Sequence, residues 1–421
     1  MAKAVLDYGK LKRAVAGEFH AIRAIVDLKP AGGEEDKIFP PTYQGTNNNP
    51  VYAFETRIVN GEKVDCVLLD SVQSQANRME MALLNWHRRS EKPPFPLVQI
   101  DFRGTEVDWV GVFTVLEAPH RIADAYFLAC ELEGKPFRSP RKPEKGSEIG
   151  KIIENARPDN ATGLFGICPT ALIFGMWDSH SKGVLGAKFQ RVITSEVIGI
   201  GVTEDGKRAE SRIDPLIKVA GESLRAKIEE NGTWSMVDAS EGDKDTKTKD
   251  KKAKRLSEIG LGNITPTLNP TGGVSVSHAR QIAVISLTAL RHLQFPIEGR
   301  LEEEINTIAR NVLAAFSLCA LTLLWKDGFS LRSRCELVPA EEPLLMLLAP
   351  RREEVFSLDF KAAEAIFQEA VGEAKKAGLP WPTEGVQGPW KNGILTLKPD
   401  KNLVKAIKES QAKALETAVE G

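Results

Sequence analysis

Ser71, Gln73, Ser74, Gln75, Asn77 and Arg78 crowd into one stretch, SVQSQANR, just before the chain turns apolar at helical spacing. Hydroxyls and amides offer hydrogen bonds without carrying charge. A helix start adds backbone N–H groups with no partner in the helix and the positive end of the dipole. Together they make a donor array suited to phosphate oxygens, with Arg78 as one cation on the outward face. A well-capped surface helix is the alternative reading of the same residues.

Three further stretches hold residues that could do chemistry. DSHSKG, Asp178 to Gly183, sets Ser179 beside His180. A Ser/His/Asp triad is a spatial arrangement that adjacency along the chain does not build, and no G-x-S-x-G elbow is present. A polar loop whose His180 and Lys182 could meet a phosphate fits as well. GAKFQRV carries Lys188 and Arg191. Their odd spacing puts them on opposite strand faces, so a joint patch needs a bulge or bend. SRIDPL offers Ser211 and Arg212 for an anion, or a salt bridge from Arg212 to Asp214.

Two basic loops could grip a polyanion or simply be solvated. Gly134 to Arg157 holds seven Lys/Arg against three Glu, and Lys244 to Arg255 holds seven against two Asp. The histidines show no H-x-x-x-H or H-E-x-x-H spacing, so no metal site is expected. No phosphate-binding G-x-x-x-x-G-K-[ST] loop and no G-x-G-x-x-G after a strand appear, so no cofactor is expected. Five cysteines stand singly, without a C-x-x-C pair, which fits a reducing cytoplasm and neither zinc nor a disulfide framework.

The elements that must position these residues follow from periodicity. Residues 1–28 read as a helix, with Val5, Leu11, Val15, Ile22 and Ile25 apolar. VYAFETRIV, Asn60-Gly61 and KVDCVLLD read as a β-hairpin. Val72, Ala76, Met79, Leu83 and Trp86 share one helical face behind an Asp70 or Ser71 cap, with Ser74, Asn77 and Arg78 pointing away. LVQIDFR reads as a strand and LEAPHRIADAYFLACEL as a helix entered at Pro119. PTALIFGMW and GAKFQRVITSEVIGIGV read as strands. VLAAFSLCALTLLW, Val312 to Trp325, is too short for a bilayer and reads as a buried core helix, so no membrane is implied. Strands near 329–348 and a helical C-terminal region follow. Residues 238–256 are low-complexity and charged, as in a flexible loop.

The chain of 421 residues suffices for two domains or one elaborated domain. A formal net charge of −1 neither requires nor excludes a polyanionic partner, because local patches decide. The N-terminus lacks the uninterrupted apolar run of a signal peptide.

Several segments together resemble one family. They are AGGEEDKIFPPTY, LLDSVQSQANRMEMALL, LEAPHRIADA, CPTALIFGMWDSH, GAKFQRVITSEVIGIGV, SRIDPL and LSEIGLGNITPT followed by GGVSVSHARQIAVISLTALRHLQFP. In order, over roughly residues 1–300, they are similar to the backbone subunit of the type I-G (formerly I-U) CRISPR Cascade complex, in the RAMP superfamily. The resemblance implies an α+β fold with an RRM-like (ferredoxin-like) antiparallel sheet core carrying large finger and thumb insertions. It implies a palm over 1–349, a finger over about 101–160, a thumb over about 218–275 and a helical region over 350–421. It sends Ser71, Gln73, Ser74, Gln75, Asn77 and Arg78 to RNA phosphates, and sets the SRID and GAKF segments on the same RNA face. The implied partners are CRISPR RNA, the target DNA strand through the guide, other copies of the chain and other Cascade subunits.

A scaffold that must accept any spacer reads backbone, 2′-OH and shape, and leaves sequence to base pairing. The resemblance therefore implies a non-catalytic subunit, with DNA degradation in a separate helicase-nuclease. A superfamily endoribonuclease remains the alternative, with His180 and Asp178, or an aspartate in 238–250, as its candidates. A protein-interaction scaffold without RNA is a third.

Overall fold

In the computed structural model of the protein the described residues are 5–45, 50–178, 188–203, 208–217, 224–228, 233–237, 253–269, 272–382 and 388–420. They fall into two compact units. The first takes its residues from 1–41, 54–202 and 275–405, the second from 42–53, 203–274 and 406–421.

The first unit is mixed α and β around a nine-stranded antiparallel sheet. Its strands are β1 (Ala21–Pro30), β2 (Phe54–Val59), β3 (Glu62–Asp70), β4 (Ile193–Ile200), β5 (His278–Ser286), β6 (Phe329–Arg332), β7 (Cys335–Pro339), β8 (Leu344–Ala349) and β9 (Arg352–Phe356). The spatial order is β6-β7-β1-β5-β4-β3-β2. β8 pairs with β1 on the side away from β5, and β9 pairs with β8. Its three longest helices are α1 (Val72–Arg89), α2 (Glu303–Asp327) and α3 (Phe360–Lys376).

The helix expected over residues 1–28 is only half there. Asp7 caps a short helix by accepting a bond from the Lys10 amide at 2.7 Å. The helix ends near Gly17, whose φ of 141° a side-chain-bearing residue rarely adopts. From Ala21 the pattern has period two. Ile22, Ala24, Val26 and Leu28 are buried while Arg23, Ile25 and Asp27 point the other way. Ile22 and Ile25 therefore lie on opposite faces of a central strand.

The hairpin of β2 and β3 forms as its sequence requires. Asn60 and Gly61 take φ values of 53° and 87°, the left-handed pair of a two-residue hairpin turn. α2 is long and apolar enough to cross a membrane, but its apolar window is wholly buried inside the protein. On it, Phe316 stacks on Phe367 of α3 at 5.2 Å and tilts against Phe95 at 4.9 Å. Trp86 of α1 meets Phe95, Phe360 and Phe367 at the same cluster. This aromatic seam holds α1, α2 and α3 together. Truncating a buried phenylalanine such as Phe316 to alanine costs about 3–5 kcal/mol.

The C-terminal stretch is not helical alone. Besides α3 and the helix Lys401–Glu420 it supplies β9 and the strands Trp390–Lys391 and Ile394–Pro399. Ile394–Pro399 runs parallel to Leu97–Asp101 and antiparallel to Cys130–Leu132, which completes a six-stranded second sheet. LEAPHRIADAYFLACEL is likewise not one helix. It breaks into a 3-10 turn at Arg121–Ala123, a short helix at Ala125–Leu128 and the strand Cys130–Leu132.

The second unit holds small antiparallel pairings. Thr42–Gln44 pairs with Pro50–Tyr52, Arg208–Arg212 with Ile264–Asn269, and Arg225–Ile228 lies between Trp234–Val237 and Ala253–Arg255. The stretch expected as a thumb, 218–275, falls in this unit except for Ser275.

Candidate nucleic-acid interface

The polar N-terminal turn of α1 divides into an inward and an outward set. Ser71 is the cap, its Oγ accepting from the Ser74 amide at 3.2 Å. The inward set converges on Asp70, which is buried. Its Oδ1 accepts from Ser74 Oγ at 2.7 Å, and its Oδ2 accepts from Gln75 Nε2 at 2.6 Å and from Arg78 Nε at 2.9 Å. Arg332 adds a contact at 3.4 Å while donating to the Leu69 carbonyl at 2.7 Å. Arg78 also donates to the carbonyls of Ser330 and Leu331 on β6. A buried carboxylate requires this many donors, and it has them.

The network continues through the sheet. Gln75 Oε1 accepts from Ser195 Oγ on β4 at 2.9 Å and from Gln281 Nε2 on β5 at 3.0 Å. Gln281 Oε1 accepts from the Trp325 indole at the end of α2 at 2.7 Å. Gln75 is wholly buried. Gln75 and Arg78 thus tie α1 to β4, β5 and β6, and through Gln281 to α2, while Ser71 and Ser74 close the turn on itself and on Asp70. Of the six polar residues of this turn, Gln73 and Asn77 are exposed.

Gln73 and Asn77, four residues apart, look into a groove of about 600 Å³. Its other walls are Leu116–Arg121, Phe174–Trp177, Lys188, Phe189 and Arg191. PTALIFGMW builds one wall, but not as the strand expected from its apolar residues. Pro169–Phe174 is a short helix with Pro169 in its first turn, where a missing N–H costs nothing. Gly175 then turns the chain with φ +83°, and a Cβ there would sit 3.0 Å from the Phe189 carbonyl oxygen. Only after it does Met176–Trp177 pair with Lys188–Phe189.

Lys188 and Arg191 both line this groove. The chain leaves strand geometry at Gln190 and Arg191 before β4 begins, which is the bend their odd spacing required. Among the described residues neither forms a direct ion pair, although the Glu80 charge reaches Arg191.

Behind them sits a buried ion pair that the sequence did not suggest. Arg121, at a φ of +53°, forks onto both oxygens of Glu80 at 2.6 and 2.9 Å and donates to the Gly175 carbonyl at 3.0 Å. Burial pushes the Glu80 carboxyl up to about 7, and the Arg121 guanidinium opposes that rise. Burial and then the neighbouring Arg121 charge hold Arg191 below its ordinary value. The Glu80 carboxylate beside Arg121 opposes that fall. An arginine stays charged at neutral pH all the same.

Asp178 faces inward. It is buried against Arg138, which also pairs with Glu154 at 2.8 Å. His180 and Lys182 lie outside the described residues. Ser211 and Arg212 belong to the second unit, on the strand that pairs with Ile264–Asn269, and their side chains also lie outside what is described. Asp214 closes a turn there, accepting from the amides of Leu216 and Ile217 at 2.9 Å and of Gly262 at 2.7 Å. All five cysteines are buried, and burial pushes the thiols up, Cys130 to about 12 and Cys335 to about 11. Among the described residues no cluster of His, Cys, Asp or Glu is arranged to hold a metal.

Residues 22–204 match the family model described as CRISPR-associated protein GSU0053. That span contains the whole groove, from Gln73 to Arg191. No curated protein matches the chain. Among solved structures the chain is similar to the crystal structure of Thermofilum pendens Csc2. That likeness has 13% identity and a TM-score of 0.27, and covers 88% of this chain and 80% of that one.

Proposed function

We propose that this chain is the guide-RNA-binding backbone subunit of a CRISPR Cascade-type complex of type I-G, acting in the cytoplasm. Several copies line one CRISPR RNA and present its spacer to the target DNA strand. One observation carries the reading. Within the stretch that matches the CRISPR-associated family, Lys188 and Arg191, two cations that form no ion pair among the described residues, meet two exposed amides, Gln73 and Asn77, in one groove. Such a set suits phosphate and ribose and ignores base identity.

The topology supports an RRM-like core. β1, then α1, then β4 and β5, then α2, then β8 follow one another in the chain, and β8-β1-β5-β4 is their order in space. This is the strand order of two interlocked βαβ units, with the β2–β3 hairpin inserted before α1. We assign DNA cleavage to a partner subunit, and the burial of Asp178 against Arg138 counts against the endoribonuclease alternative.

Co-expression with a CRISPR array tests the proposal. The purified chain should carry spacer-containing RNA of any spacer sequence, in lengths that rise stepwise with copy number. Labelled precursor RNA should stay intact. Protein that binds only random cellular fragments, even with the other subunits present, would refute it.

A further inference from the structure

Trp177 is 67% exposed. Trp86, Trp381 and Trp390 are buried, while Trp109 and Trp234 are exposed too; of these, Trp177 is the one that lines the groove. Trp177 does not sit on a loose loop. Its neighbours in the two-stranded pairing, Met176 and Phe189, are buried, and Gly175 before it is tied through its carbonyl to Arg121. The indole is held out from a fixed backbone.

Its surroundings decide what it meets. Lys188 lies directly across the strand pair from Trp177, so the two side chains leave the same face as near neighbours. Arg191, Gln73 and Asn77 line the same groove. A protein docking patch concentrates apolar residues at its centre and depletes lysine. An indole beside a lysine and an arginine is the pairing that single-stranded nucleic acids meet, base on the ring and phosphate on the cation. A volume of about 600 Å³ also lies within the range of sites that enclose a small ligand, and it exceeds what a phosphate alone needs.

We propose that Trp177 is a stacking platform for one nucleobase of single-stranded RNA, so that the groove takes a whole nucleotide. This rests on the RNA-binding reading above and adds a contact to the base face, which every base presents and which preserves indifference to sequence.

The test uses the purified full chain, a labelled single-stranded RNA and an abasic strand of the same length. Trp177→Ala should weaken RNA binding on the order of 5- to 100-fold while leaving the dependence on salt, and the binding of the abasic strand, unchanged. Trp177→Phe should restore most of the loss. Lys188→Ala should weaken both strands and lower the salt dependence. If Trp177→Ala binds RNA like the parent, the stacking proposal is overturned while the groove reading stands, and the exposed indole then belongs to a protein contact. Equal loss on both strands overturns it too, because the effect is then on fold or backbone. Wild-type protein that binds neither strand overturns the RNA-binding reading and this proposal together.

Discussion

Arg78 separates the two readings of the α1 turn. From sequence it is a phosphate ligand; in the structure it is a brace. Its guanidinium donates to Asp70 and to two carbonyls on β6, and its side chain is 30% exposed. Replacing it with alanine leaves Asp70 with Ser74, Gln75 and Arg332. The loss is thus one charged hydrogen bond plus two carbonyls returned in part to water. A hydrogen bond to a charged group contributes about 1.5–3 kcal/mol, and the partial exposure discounts the upper end. We expect Arg78→Ala to destabilise the protein by about 2 kcal/mol, a fall in melting temperature of roughly 4 °C.

The companion measurement is the slope of log affinity for single-stranded RNA against log salt. Each phosphate contact contributes about 0.7 to that slope on a single strand. Lys188→Ala and Arg191→Ala should each lower it by about that amount with little change in stability. Arg78→Ala should leave it unchanged. A variant of normal stability with a slope lowered by about 0.7 would show that Arg78 faces the RNA, and the division of the turn into inward and outward sets would be wrong.

Gln75→Leu should cost about 2–4 kcal/mol, because Ser195, Gln281 and Asp70 all lose a buried partner; the urea midpoint should fall and the RNA salt slope stay put. Burial holds His87 down to about 4 against 6.5 in the unfolded chain, so the unfolded state takes up a proton first as the solution is acidified. Stability should therefore fall from pH 6.5 toward pH 4, by up to about 3 kcal/mol, and His87→Phe should flatten that part of the profile. Gly175→Ala forces a side chain onto φ +83° beside the Phe189 carbonyl. It should cost about 1–3 kcal/mol and weaken RNA binding by shifting the pairing that carries Trp177 and Lys188.

Local signals were legible where one period or one cap sufficed. The Asn60-Gly61 hairpin, a cap at Asp70 or Ser71, the apolar face of Ala76, Met79, Leu83 and Trp86, and the buried α2 all stood in the sequence. β1 did not, because Ile22 and Ile25 fit a helical step as readily as a strand, and only the burial of Ala24 and Val26 decides. PTALIFGMW failed because a short buried helix and a buried strand are both unbroken apolar runs. The Asp70 network was hidden for a different reason. Ser195, Gln281, Trp325 and Arg332 lie more than a hundred residues from Asp70 along the chain, so their shared purpose exists only in space. Nothing in the sequence marked Arg121 and Glu80 as a pair for the same reason. Trp177 was hidden inside an apolar run whose other members are core.

On the proposed reading the turn of α1 does two jobs at once, and the division bears on affinity. Most arginines near the sheet are already engaged: Arg57 with Glu196, Arg78 and Arg332 with Asp70, Arg121 with Glu80, Arg280 with Asp27. A chain of net charge −1 that spends its guanidinium groups on its own carboxylates has little long-range pull on a polyanion. On the proposed reading, one described groove offers two phosphate contacts and one stacked base, a weak site by itself. Retention of a guide then comes from repetition. When copies contact each other along one RNA, each further groove binds at the effective concentration set by its neighbour, and overall avidity exceeds any single affinity by orders of magnitude. A scaffold built this way releases nonspecific RNA easily from a single copy and holds a guide only once several have assembled. Weak, sequence-blind grooves are what such a filament requires.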